Sequence, residues 1–349
     1  MSRPVPVVGG AVESSALGRT LMHEHIFVRT PELQEAWPGF MGFADEDAVV
    51  ADAHEKLKAI KASGIDTIVD MTAPGLGRQV KRVARAVEGT GLNVIVVTGY
   101  YTYTDLPFPM KYNGPGRFVN TDPDDAFLVD LFVRDIEEGI EGTDIKAGVV
   151  KCCTDEPGVT PDIERLIRAV AKTHLRTDVP IMTHTHAKSR RGLDQQRILA
   201  EEGVDLSRVL IGHSNETSDV EYLVEMMEAG SYLGFDRCGL MVDHPLADQQ
   251  ETLVELCKRG YAGQIVLSQD RHCYSDWLPE DGVLAMLPDW HHGFVQQSLI
   301  PALLENGVTQ EQVDQMMLKN PVDFFSARRA GAAPAPQAPA AEGHSPTAA

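Results

Sequence analysis

The sequence predicts an α/β fold, a single (β/α)8 barrel with extra C-terminal helices, on three observations. Eight short β-branched or apolar runs alternate with longer stretches of helical periodicity, the pattern of βαβ units on a parallel sheet. The polar residues that interrupt those runs gather near their C-terminal ends, the face on which such barrels build sites. No low-complexity linker cuts residues 1–329, so one domain accounts for that whole body.

The predicted strands, in order, are Thr20–Val28, Thr67–Thr72, Asn93–Tyr100, Lys146–Cys153, Pro180–His186, Val209–Ser214, Gly230–Asp236 and Gln264–Asp270. Between them, Asp45–Ser63, Arg78–Gly89, Asp125–Gly142, Pro161–Leu175 and Gln249–Arg259 repeat apolar residues at three and four, as helices packed by one face on a sheet do. Trp290–Asn306 and Gln310–Phe325 read as two further helices that complete the outer ring. The last segment, residues 330–349, is Ala, Pro, Gly and Ser with no large apolar side chain, and predicts a disordered tail because it has too little surface to bury against the cost of ordering.

Charge and cysteine usage narrow the partners. Of 349 residues, 31 are Lys or Arg and 51 are Asp or Glu, a formal net charge of −20 that repels phosphate backbones and anionic lipid. Neither nucleic acid nor a membrane is therefore an expected partner. No apolar run approaches the roughly 20 residues that span a bilayer, and the N-terminus lacks the apolar core of a secretory signal. Five scattered cysteines without CxxC spacing argue against a disulfide framework and predict a cytoplasmic protein.

The chemistry sits on strand ends. In His23-Glu24-His25 the alternation of a strand turns both imidazoles to one face and Glu24 to the other. Lys151, His184, His213 and Asp270 then close the fourth, fifth, sixth and eighth runs, at intervals that fit whole βα units. Four histidines and an aspartate at one barrel mouth suffice for two divalent transition metals, with zinc first and cobalt, iron, nickel or manganese as alternatives. A buried lysine with a lowered pKa can react with CO2 to give an anionic, bidentate carbamate, so a carboxylated Lys151 could bridge two ions; the spacing alone does not require it.

Other groups read as bystanders. His186, two residues beyond His184, is expected as rim packing, and Cys152 and Cys153 as small barrel residues. His244, His272, His291 and His292 fall in expected loops or outer helices, without a role.

The motifs LMHEH (21–25), TIVDMTAPGLGR (67–78), TGYYTYTDLPF (98–108), AGVVKCCTDEPG (147–158), THTH (183–186), EEGVDLSRVLIGH (201–213), GSYLGFDRCG (230–239) and LSQD (267–270) together resemble the phosphotriesterase family of the amidohydrolase superfamily, a TIM-barrel family, and its lactonase branch most closely. The resemblance spans about residues 15–326. It implies that His23, His25 and Asp270 hold the buried metal and His184 and His213 the more exposed one, with carboxylated Lys151 and a hydroxide between them. It further implies that Tyr101 borders the exposed metal and orients a lactone carbonyl, that Arg237 lies on the active-site floor, and that Trp277 lines an acyl channel. Cys273, in the same loop, is expected to touch substrate.

The chain departs from the family's Ser-His-Asp in reading Ser268-Gln269-Asp270. The implied activity is opening of lactones, N-acyl-homoserine lactones foremost, with organophosphate triesters as side substrates. The same residues suit a dedicated phosphotriesterase. A barrel that only binds ligand has Gln269 as its single support. A homodimer is implied by the resemblance alone.

Overall fold

The computed structural model describes residues 2–39, 45–115, 125–241, 244–278 and 280–326; the predicted tail, residues 330–349, lies outside them. Its first element is an antiparallel hairpin, β1 (Pro4–Val7) and β2 (Gly10–Glu13), turning at Val8-Gly9. Then come β3 (Thr20–Val28), β4 (Thr67–Asp70), β5 (Asn93–Gly99), β6 (Ala147–Cys153), β7 (Ile181–His184), β8 (Val209–Ile211), β9 (Tyr232–Phe235), β10 (Ile265–Leu267) and β11 (His272–Ser275). From β3 to β10 each strand pairs in parallel with the next, and β11 pairs in parallel with β3. The Asp270 amide donates to the His23 carbonyl at 3.0 Å and the His25 amide to the Arg271 carbonyl at 3.0 Å, so the chain between β10 and β11 closes the barrel on β3.

The eight predicted strands all form. The hairpin and β11 went unpredicted, although a Gly-Gly pair between Val-rich runs was a legible hairpin signal.

The helices follow from their sequences. Glu46–Ala62 buries Val50, Ala53, Leu57 and Ile60, one stripe at three- and four-residue spacing, and Asp45 caps it by accepting from the Ala48 amide. Pro161–Thr177 starts with Pro161 behind the Thr160 cap. Arg191–Glu201 and Val220–Glu228 complete βα units that the sequence reading left open. Both predicted C-terminal helices form, each with a π-helical turn, at Val295–Leu299 and Gln315–Lys319. No helix among the described residues is long and apolar enough to cross a membrane.

Two irregularities aim the site. On β3 the register slips between Leu21 and Glu24, so Leu21 packs in the core outside the barrel while Met22, His23 and His25 all serve the interior. On β5, Gly99 takes φ +96°, and a Cβ there would stand 2.0 Å from the Lys151 carbonyl oxygen. Only glycine lets β5 pass Lys151 so closely.

Candidate metal centre

One cleft of about 240 Å³ at the C-terminal ends of the strands is lined by His23, His25, Lys151, His184, His213 and Asp270. All six predicted side chains therefore meet, from β3, β6, β7 and the turns after β8 and β10. His213 and Asp270 reach the cleft with φ of 56° and 52°, a left-handed conformation that non-glycine residues seldom take and that concentrates at functional sites.

Each imidazole has one nitrogen committed to an acceptor behind it. His23 Nδ1 and His213 Nδ1 share the buried Asp236 carboxylate, at 2.9 Å to Oδ2 and 2.9 Å to Oδ1. His25 Nδ1 meets Thr72 Oγ1 at 2.8 Å, and Thr72 in turn donates to Asp70 at 2.6 Å. His184 Nε2 donates to Asp155 Oδ2 at 2.8 Å. The opposite nitrogens, His23 Nε2, His25 Nε2, His213 Nε2 and His184 Nδ1, are left as acceptors facing one another and Asp270.

That arrangement calls for a cation. His184 Nδ1 and His213 Nε2 stand 2.8 Å apart. Two lone pairs at that distance repel unless a positive charge lies between them. His23 Nε2 is buried without a hydrogen bond, 3.5 Å from Asp270 Oδ1, and His25 Nε2 is 3.2 Å from the same oxygen. Three ligand atoms, from His23, His25 and Asp270, lie close enough to grip one ion. Nitrogen donors with one carboxylate suit a transition metal, so the donor set fits the two ions expected.

Electrostatics point the same way. Burial pushes the His23 pKa down and those of His25 and His184 well down, which keeps the rings neutral and able to ligate. Burial raises the Asp270 carboxyl, but His23, His25 and Arg237 outweigh it and hold it well below the usual range. Burial also lowers the Lys151 amine, whose Nζ donates to the Met71 carbonyl at 2.9 Å.

The remaining expectations divide. Tyr101 lines the cleft, its ring 5.2 Å from Lys151 Nζ, and its hydroxyl hydrogen-bonds Tyr103. Arg237 Nε donates to Asp270 Oδ2 at 2.9 Å while Nη1 holds both oxygens of Glu216. Trp277 lines the rim, 45% exposed, 6.2 Å from the Tyr101 ring. Cys273 is not in the cleft. It lies on β11, packed into the core, while its neighbour His272 turns inward beside His25. The register His272↔His25 explains the exchange, since alternate residues of a strand face opposite ways. His272, expected without a role, is thus part of the wall; burial pushes its pKa down to about 4. His186 stays outside the cleft, bonded to Ser189, and Cys152 and Cys153 are buried, free thiols.

Gln269 joins three elements. Its amide nitrogen donates to Glu24 Oε1 and to the His292 carbonyl, its side-chain oxygen accepts from the Val295 amide, and its carbonyl accepts from Trp290 Nε1. Glu24, between the two strand histidines, also receives Ser268 Oγ and the Gln269 and Arg271 amides. Gln269 therefore anchors the turn that presents Asp270. Sequence reasoning missed Asp155, Asp236, Glu216 and Tyr103. Only Asp236, closing a predicted strand at the barrel mouth, carried a signal of the kind used for the others.

Comparison with known proteins agrees. The Phosphotriesterase family profile matches residues 4–325. A "Phosphotriesterase homology protein" of Mycobacterium tuberculosis is 52% identical over 316 residues, covering 90% of this chain and 95% of its own. An "Aryldialkylphosphatase" of Saccharolobus solfataricus is 39% identical over 325 residues, covering 92% and 99%. A solved structure described as "Molecular Engineering of Organophosphate Hydrolysis Activity from a Weak Promiscuous Lactonase Template" superposes with a TM-score of 0.82 at 31% identity, covering 93% of this chain and 100% of that one. The chain belongs to the phosphotriesterase family and is a hydrolase of the metal-dependent amidohydrolase type.

Proposed function

We propose that this protein is a binuclear metal-dependent lactonase, acting on N-acyl-homoserine lactones and, more slowly, on organophosphate triesters. One observation carries the reading: the cleft that holds the nitrogen and oxygen cluster is also lined by the apolar side chains Leu76, Leu240, Leu278, Leu287, Trp277 and Trp290. A lactone ring with an acyl tail combines the same two chemistries.

His23, His25 and Asp270 would hold one ion and His184 and His213 the other, with Lys151, as its carbamate, between them. Zinc suits these donors best, and cobalt, iron or manganese are alternatives. Bound there, two such ions would supply acidified water and polarisation of the carbonyl. The chain's own groups do the rest. Burial, and then Tyr103, push the Tyr101 pKa well above its usual value, so its hydroxyl keeps its proton and can donate to the lactone carbonyl oxygen. Arg237 stays charged and fixes Asp270 Oδ2, which steadies the carboxylate that takes the proton from the attacking water. The protonated carboxyl would then pass that proton to the leaving alkoxide, which is a far stronger base. The apolar lining orients the acyl chain and excludes water from it.

The five free, buried cysteines suit a reducing cytoplasm, and exposed Trp37, Phe108 and Tyr112 supply apolar surface for a homodimer. The second reading, a dedicated phosphotriesterase, draws on the relative named aryldialkylphosphatase. The kcat/KM of the full chain for an acyl-homoserine lactone, divided by that for an aryl dialkyl phosphate, tests the choice. A ratio above one is expected, and a ratio well below one installs the second reading. The ligand-binding barrel loses its support, because Gln269 has a structural task beside Asp270.

A further inference from the structure

We infer that Asp155 is the positioning residue that sets the affinity of the outer of the two metal positions, by fixing which nitrogen His184 turns to the site. The inference rests on the reading of His184 and His213 as ligands. It begins in the register of two strands. Cys153 of β6 pairs with His184 of β7, and the next amide, Thr154, donates to the His184 carbonyl at 2.9 Å. The chain leaving β6 is thereby held against His184, and the following residue is Asp155.

The loop leaves its carboxylate few choices. Asp155 Oδ1 accepts the Glu156 amide at 2.6 Å, and the Asp155 carbonyl accepts the Gly158 amide at 2.8 Å. Oδ2 remains for His184 Nε2, at 2.8 Å. The Tyr103 ring stacks on the imidazole with centroids 5.1 Å apart, and Tyr101 meets it edge-on at 5.5 Å, so the ring is held against turning over. With Nε2 spent as a donor, Nδ1 must offer its lone pair to the site, opposite His213 Nε2. Without Asp155 the proton is free to sit on Nδ1, where it blocks ligation.

The four histidines differ in one respect. The acceptors behind His23, His25 and His213 are buried, whereas the Asp155 side chain is 22% exposed and stands on a loop. Three rings are set by the barrel, and the fourth by a turn at its rim. Outer-shell partners of this kind change metal affinity by about 10–100-fold.

The test uses the full chain, stripped by chelator and titrated with Zn2+ against a chromophoric competitor, with bound metal counted by elemental analysis. Wild type is expected to take two equivalents. Asp155→Ala is expected to keep the first at wild-type affinity and to weaken the second by about 10–100-fold. Asp155→Asn, whose side-chain oxygen still accepts from Nε2, should fall between them and decides the matter if the alanine variant does not fold. Variants that bind both equivalents like wild type, or lose both equally, overturn the role of Asp155 alone. A wild-type chain that takes fewer than two equivalents overturns the binuclear reading, and this inference with it.

Discussion

Met182 and His184 stand two residues apart on β7 and serve the same barrel interior, yet their surroundings have little in common. Met182 belongs to a closed apolar cluster with Val5, Leu17, Val69, Val149, Leu210, Val266 and Phe324. The β1–β2 hairpin covers that end, and Arg3 and Arg208 latch it by donating to the Phe325 and Phe324 carbonyls at 2.6 Å each. One step up the strands, the layer is imidazole, amine and carboxylate. It tolerates left-handed backbone at His213 and Asp270, a buried His23 Nε2 without a hydrogen bond, and two facing acceptors. The floor is built for cohesion and the mouth for a ligand's charge, so stability and activity should separate within a few residues of one strand.

The sharpest test of that separation is at Asp270. Asp270→Asn keeps a residue that accepts φ near +52° but removes the charge opposite His23 and His25. Hydrolysis should fall to below about one per cent of wild type while the circular dichroism of the fold persists. Exhaustive chelation of the wild type should do the same. An unfolded variant, or full activity after chelation, breaks the division between floor and mouth. Lys151→Ala comes next: activity is lost, then partly restored by added short-chain carboxylates if the lysine acts as a carbamate. A loss that no carboxylate relieves leaves Lys151 as a packing residue.

How far the sequence reaches follows the same line between layers. Residues that strand periodicity places were legible, and the six cleft side chains stood at the right ends of the right runs. Simple alternation was still incomplete, because it would turn Leu21 inward with His23; the bulge between Leu21 and Glu24 turns it out. Cys273 and His272 were exchanged for a related reason. Read as loop, the segment has no faces, and its pairing with β3 gives it two. Asp155 and Glu216 act through space on residues of other strands, and no local pattern announces such partners. The packing of Gln269 against Glu24 and Val295 likewise joins segments far apart in the chain.

The floor offers the complementary experiment. Met182→Ala should cost about 2–5 kcal/mol of stability, the range for emptying a packed core site. Chemical denaturation measures it, and kcat/KM of the folded protein should be unchanged. A fall in activity without loss of stability would mean that the apolar layer positions the ligands above it.

The smallest effect is expected at the rim, where neither rule holds fully. Trp277 is half exposed, faces the polar cluster across the Tyr101 ring, and lines the cleft with the apolar residues. Truncation to alanine removes about 1–2 kcal/mol of contact with a long acyl chain, so KM for a long-chain lactone should rise roughly tenfold. A short-chain lactone does not reach Trp277, and its KM should move little, with kcat unchanged for both. Equal losses for the two substrates would place Trp277 in the chemistry itself and would shift the boundary between cohesion and charge outward, to the loop that follows Asp270.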